Sequence, residues 1–119
     1  MQDFKSLLVW QKSHQLTLSI YRVTTKFPSE EKFGLISQMR RASSSIPSNI
    51  AEGCGREGPK ELKRFLGITM GSATELEYQL LLSHDLAFLS QQDYQRVNAS
   101  VIEVKKMLYA FIQKLKIEG

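Results

Sequence analysis

The chain has 119 residues, 42% of them hydrophobic and 24% charged, which suits one globular domain over residues 1–119 and argues against a disordered or two-domain chain. Sixteen Lys and Arg against twelve Asp and Glu leave a formal net charge of +4, so polyanions are the partners that charge favours. The single cysteine, Cys54, cannot form an intramolecular disulfide, and neither a signal-peptide pattern nor an apolar run of about 18 residues is present, so a cytoplasmic protein without a membrane span is expected.

Apolar spacing is helical throughout, with no sustained alternation of period two, and it predicts four helices. The first runs from about Phe4 to Lys26, with Leu7, Trp10, His14, Leu18 and Tyr21 as its inward face, and Pro28 stops it. Val9, Leu16, Ile20 and Val23 form a second stripe about half a turn away. A peripheral helix of a monomeric bundle needs only one apolar face, so this stripe is expected at a subunit interface. Ser29 is the expected N-cap of the second helix, with Glu30 and Glu31 in its first turn. Leu35, Met39, Ala42, Ile46 and Ile50 then line one face, and Gly53 and Gly55 end it.

Pro59 fits the first turn of the third helix, whose inward face is Leu62, Phe65, Leu66, Thr69, Ala73, Leu76, Leu80 and Ala87. Ser90-Gln91-Gln92-Asp93 reads as a capping-box variant opening the fourth helix. Tyr94, Val97, Val101, Val104, Leu108, Phe111 and Leu115 follow at three-four spacing, while Ile102 and Tyr109 lie one heptad apart off that seam. Short connections between long helices make neighbours antiparallel, so the expected fold is an all-α, up-down-up-down four-helix bundle.

The segment Ser45-Ile46-Pro47-Ser48-Asn49-Ile50-Ala51-Glu52-Gly53 is unusual for a helix. Pro47 removes a backbone donor and clashes with the carbonyl four residues back, at Ser43, so something must offset that cost. Gln38, Ser45, Asn49 and Glu52 fall on one narrow polar stripe with Arg41 at its edge. Glu77 borders the inward face of the third helix while Glu75 points away, and Gln38, Asn49, Glu52 and Glu77 are expected to form a partly buried polar network. The serines Ser43-Ser44-Ser45 and the run Gly71-Ser72-Ala73 read as close-packing surfaces on facing helices.

Catalytic signatures are absent. No Glu-x-x-His pair precedes His14 or His84, which leaves no di-iron pattern and no metal or cofactor to expect. No nucleophile elbow, phosphate loop or dinucleotide motif occurs. The basic residues Arg40, Arg41, Arg56, Lys60, Lys63 and Arg64, set against Glu52, Glu57 and Glu61, could neutralise phosphates without reading bases.

Val9-Trp10-Gln11-Lys12, Tyr21, Phe27-Pro28-x-Glu30, Gly34-Leu35, Gln38-x-Arg40-Arg41-Ala42, the Ser45 to Gly53 segment, Phe65-Leu66 and Gly71-Ser72-x-x-Glu75-Leu76 together resemble the four-helix-bundle family named for 23S rRNA intervening sequences, in order over about the first 90 residues. The resemblance implies a left-handed up-down bundle, small cytoplasmic bacterial proteins and homopentamers in several members. It also implies kinship with the accessory variability determinant of diversity-generating retroelements, a basic pentamer that partners a reverse transcriptase and nucleic acid. No catalytic residue is implied; by analogy Arg40 and Arg41 become candidates for nucleic-acid contact. One departure is Ala87-Phe88-Leu89 where the family often has Gly-Tyr-Leu. The expected function is that of a non-enzymatic homo-oligomer, pentameric by resemblance, that binds RNA or DNA through a basic surface. The alternative is a protein-binding adaptor with no nucleic-acid contact.

Overall fold

The computed structural model describes residues 3–115, and among these every regular element is helical. A single 3-10 turn, Phe4–Ser6, precedes helix α1, Leu8–Thr24; a second, Ser29–Glu31, precedes α2, Leu35–Cys54; α3 spans Gly58–Asp85 and α4 spans Gln91–Lys114. Among the described residues, contacts join α1 to α2, α2 to α3, α3 to α4 and α4 back to α1, with none across either diagonal. That closed square of sequential neighbours is an up-down bundle, 47 Å long and 23 Å across. No helix of the described residues is long and apolar enough to cross a membrane.

Local chemistry sets the helix boundaries. Asp3 accepts a hydrogen bond from the Lys5 amide at 3.1 Å and caps the first 3-10 turn, so α1 begins at Leu8 rather than Phe4. Ser29 opens the second 3-10 turn instead of capping α2. The start of α2 is held by Glu31, whose Oε1 accepts from the Leu35 amide at 3.1 Å. Gly58, with φ of +80°, turns the chain into α3 in the left-handed region that glycine enters freely, and Pro59 follows in the first turn. Ser90 caps α4 by accepting from the Asp93 amide at 3.1 Å, as its motif predicts.

The core overturns one expectation. Val9, Leu16, Ile20 and Val23 are buried inside the single chain, at 5% exposure or less, so they are not surface available to a second subunit. Leu7, Trp10, His14 and Leu18 are half-buried and Tyr21 is exposed. The two faces of α1 are therefore exchanged relative to the sequence reading. The reason lies in Ser13, Thr17 and Thr24, which are buried beside the Val9 stripe. Each returns its hydroxyl to a carbonyl of its own helix: Ser13 to Trp10, Thr17 to Ser13 and Thr24 to Ile20. Small residues satisfied in this way can enter a core at little cost, and counting Ser13 as apolar turns 9, 13, 16, 20 and 23 into an unbroken heptad seam.

The α2 and α4 seams are as expected. Leu35, Met39, Ala42, Ile46 and Ile50 are buried on α2, and Val97, Val101, Val104 and Leu108 on α4. At the far end of α2, a Cβ on Gly53 would stand 2.9 Å from the Phe65 Cβ and 3.0 Å from the Leu62 Cδ1. A side chain there would drive α2 and α3 apart, whereas one at Gly71 would meet open space. Gly53, not Gly71, is therefore the glycine that close packing requires.

Candidate nucleic-acid interface

The six basic residues singled out in the sequence separate into two places. Arg40 and Arg41 lie about 20 Å along α2 from the turn that carries Arg56, at 1.5 Å of rise per residue. Arg40 is committed to α1. Its Nε donates to the Thr24 hydroxyl at 3.0 Å, its Nη2 donates to the Tyr21 carbonyl at 3.3 Å, and its guanidinium lies 4.7 Å from the Tyr21 ring centre. A cation placed on the last turn of α1 complements that end of the helix dipole. Arg41 is exposed.

Arg56, Lys60, Lys63 and Arg64 gather where α2 turns into α3. Phe65 holds the two arginines. It is 5% exposed, and its ring takes the Arg56 guanidinium at 5.2 Å and the Arg64 guanidinium at 4.6 Å. Arg56 also pairs with Glu52 at 2.7 Å, and Arg64 donates to both oxygens of Glu61 at 3.1 and 3.2 Å. The hydrogen bonds from Arg64 come first in holding the Glu61 carboxyl below the usual carboxylate range, and the positive charges of Arg64, Arg56 and Lys60 add to it. The same pairing raises the Arg64 pKa further. Among the described residues Lys60 and Lys63 make no ion pair. The arrangement offers two pinned guanidiniums with spare donors and two unpaired ammonium groups, which suits contacts to phosphate oxygens rather than to base edges.

The expected polar network does not form within the chain. Glu77 pairs across the other flank of α3, accepting from Lys105 of α4 at 2.7 Å. Glu52 is taken by Arg56, Asn49 donates back to the Ser45 carbonyl at 2.8 Å, and Gln38 is exposed. The polar contacts between α2 and α3 are instead Ser45 to Ser72, whose hydroxyl oxygens are 2.6 Å apart, and the Ser83 hydroxyl donating to the Met39 sulfur at 3.3 Å. The sequence carries a signal for the first of these, since Ser45 and Ser72 lie in the small-residue runs that read as facing surfaces.

With the Val9 stripe in the core, the apolar surface lies elsewhere. On the α3 and α4 side Tyr78 is 60% exposed and Tyr109 62%, and Met70, Ile102, Lys105, Lys106 and Tyr109 line an open groove between the helices. On the α1 and α2 side Trp10 and His14 stack with ring centres 5.2 Å apart, and Phe4 meets Trp10 edge-on at 4.9 Å. Among the described residues no group of three or more His, Cys, Asp or Glu is placed to hold a metal ion.

The sequence matches the family model of the 23S rRNA-intervening sequence protein over residues 5–110. No curated protein sequence matches it. Among solved structures, the fold is similar to that of a protein of unknown function from the S23 ribosomal protein family of Bacteroides thetaiotaomicron, determined at 1.70 Å. The two share 26% identity with a TM-score of 0.83, over 89% of this chain and 96% of that one.

Proposed function

The chain belongs to the family of 23S rRNA-intervening sequence proteins, and from that premise we propose that it acts without catalysis, as a self-associating bundle that meets the phosphate backbone of RNA or DNA. The observation that carries this reading is the α2–α3 turn, where Lys60 and Lys63 stand unpaired beside two arginines pinned on Phe65. One copy carries little net charge there, because Glu52, Glu57 and Glu61 offset three of the four cations. Several copies in one assembly add their weak phosphate contacts through multivalency. Exposed Tyr78 and Tyr109 supply apolar surface for such assembly.

The test is a titration with double-stranded RNA and DNA at two salt concentrations, comparing the native chain with Lys60→Gln/Lys63→Gln. Each phosphate contact contributes about 0.9 to the slope of log affinity against log salt, so the double variant should bind more weakly and with a shallower slope. Equal slopes for both proteins overturn the assignment. A second reading, a protein-binding adaptor, is favoured by the half-exposed Trp10–His14 stack. An absence of nucleic-acid binding at low salt would put it first.

A further inference from the structure

Phe33 is the most exposed aromatic residue described, at 90%. It stands in the α1–α2 connection, with Glu30 and Glu31 close before it and the Lys32 ammonium 5.6 Å from its ring centre. Phe27, earlier in the same connection, is buried and packs against Phe88, so the connection is anchored while Phe33 projects from it. A phenylalanine left in water forgoes the favourable transfer of its ring that burial would return, and nothing among the described residues covers it.

On the opposite edge of the square, Met70, Ile102 and Tyr109 wall an open, apolar groove rimmed by Lys105 and Lys106. The groove is open to solvent along its length and its lining is almost wholly apolar, so a ring carried by another chain can enter it from outside. Charge agrees with shape. Glu30, three residues before the projecting ring, and Lys106, in the lining of the groove, are both exposed, and neither makes an ion pair among the described residues.

We propose that Phe33 of one copy seats in the Met70/Ile102/Tyr109 groove of the next, with Glu30 meeting Lys106 across the joint. The inference rests on the self-association reading above and specifies its contact. The knob lies in the α1–α2 connection and the groove between α3 and α4, so the joint brings together unlike surfaces of two copies. The contact is heterologous: each copy gives a ring to one neighbour and receives one from another, and it closes into a ring of subunits when the rotation between neighbours permits. Complementary charge beside an apolar anchor fixes the register and speeds encounter more than it adds affinity.

Sedimentation velocity on the native chain, two variants and their mixture tests this. The native chain should sediment as an oligomer, while Phe33→Ser and Ile102→Asp should each sediment as monomers with unchanged helical circular dichroism. Mixed in equal amounts, the two variants should form a dimer and nothing larger, because one supplies an intact ring and the other an intact groove. Should Ile102→Asp fail to fold, Lys106→Glu takes its place: it should weaken assembly, and adding Glu30→Lys should restore it. A native oligomer that Phe33→Ser leaves intact, or a mixture that stays monomeric, overturns the knob-and-groove contact while leaving self-association standing. A monomeric native chain overturns both.

Discussion

The Thr17 hydroxyl of α1 lies 2.8 Å from the Ser43 carbonyl of α2, the carbonyl that Pro47 deprives of its helical donor. Thr17 also reaches the Ser13 carbonyl at 3.0 Å, so its one hydrogen is shared between its own helix and the next. The proline in the middle of α2 is thus tolerated because a neighbouring helix supplies the missing donor. The bond also pins α1 and α2 in one register.

Replacing Thr17 by valine keeps the shape and removes the donor, leaving a buried carbonyl unsatisfied at a cost of about 1–3 kcal/mol. In that background Pro47→Ala should recover much of the loss, because the backbone amide it restores can bond the Ser43 carbonyl directly. Urea unfolding of both single variants and the double variant measures the coupling. Strictly additive effects would show that Thr17 and Pro47 act independently.

Ala87 has φ of +64° and is the only non-glycine residue described with a positive φ. It follows α3 in a Schellman-type end, with the Phe88 amide donating to the Ser83 carbonyl at 2.9 Å. The left-handed conformation costs an alanine roughly 1–2 kcal/mol, part of which glycine returns as unfolded-state entropy. Ala87→Gly should therefore raise stability by about 1 kcal/mol, read as a higher Tm. An unchanged or lower Tm counts against this account of the turn.

Gly53→Ala should have the opposite sign. Its new methyl would press on the Phe65 and Leu62 side chains, and overpacking of this kind typically costs about 1–3 kcal/mol. The displaced Phe65 would also loosen the platform under Arg56 and Arg64. Thermal unfolding checks the first effect, and loss of nucleic-acid affinity beyond the loss of stability checks the second.

Arg40 and Lys63 should separate structure from binding. Arg40→Ala removes hydrogen bonds to Tyr21 and Thr24 and should lower stability by about 1–3 kcal/mol with nucleic-acid affinity unchanged. Lys63→Gln should leave stability within about 0.5 kcal/mol of native, as exposed substitutions do, and weaken binding. A reversal of these two results would move the candidate interface from the α2–α3 turn to the first two turns of α2.

Much of the candidate interface is legible in the sequence as composition but not as arrangement. Arg56, Lys60, Lys63 and Arg64 are close in sequence, so their clustering can be read directly. That Phe65 carries two of them cannot, because its spacing marks it only as a member of the inward face, and the stacking depends on how its ring meets the turn. Glu77 finds a different partner from the expected one for a similar reason. Being at the edge of the inward face of α3 does not say which neighbouring helix lies beyond that edge.

The order of the helices, the breaks between them, the cap at Ser90 and the seams of α2 and α4 are determined by the sequence alone, because propensity, capping and periodicity act within a few residues. Which face of α1 turns inward, what offsets Pro47 and where each arginine is spent are decided by the tertiary structure. Those outcomes depend on neighbours distant in the chain. Ser13, Thr17 and Thr24 can be buried only because hydroxyls find carbonyls, and Thr17 reaches one on another helix as well as one on its own. Periodicity weighs side chains by hydropathy, whereas the folded chain weighs them by whether their polar atoms are satisfied and their volumes fit.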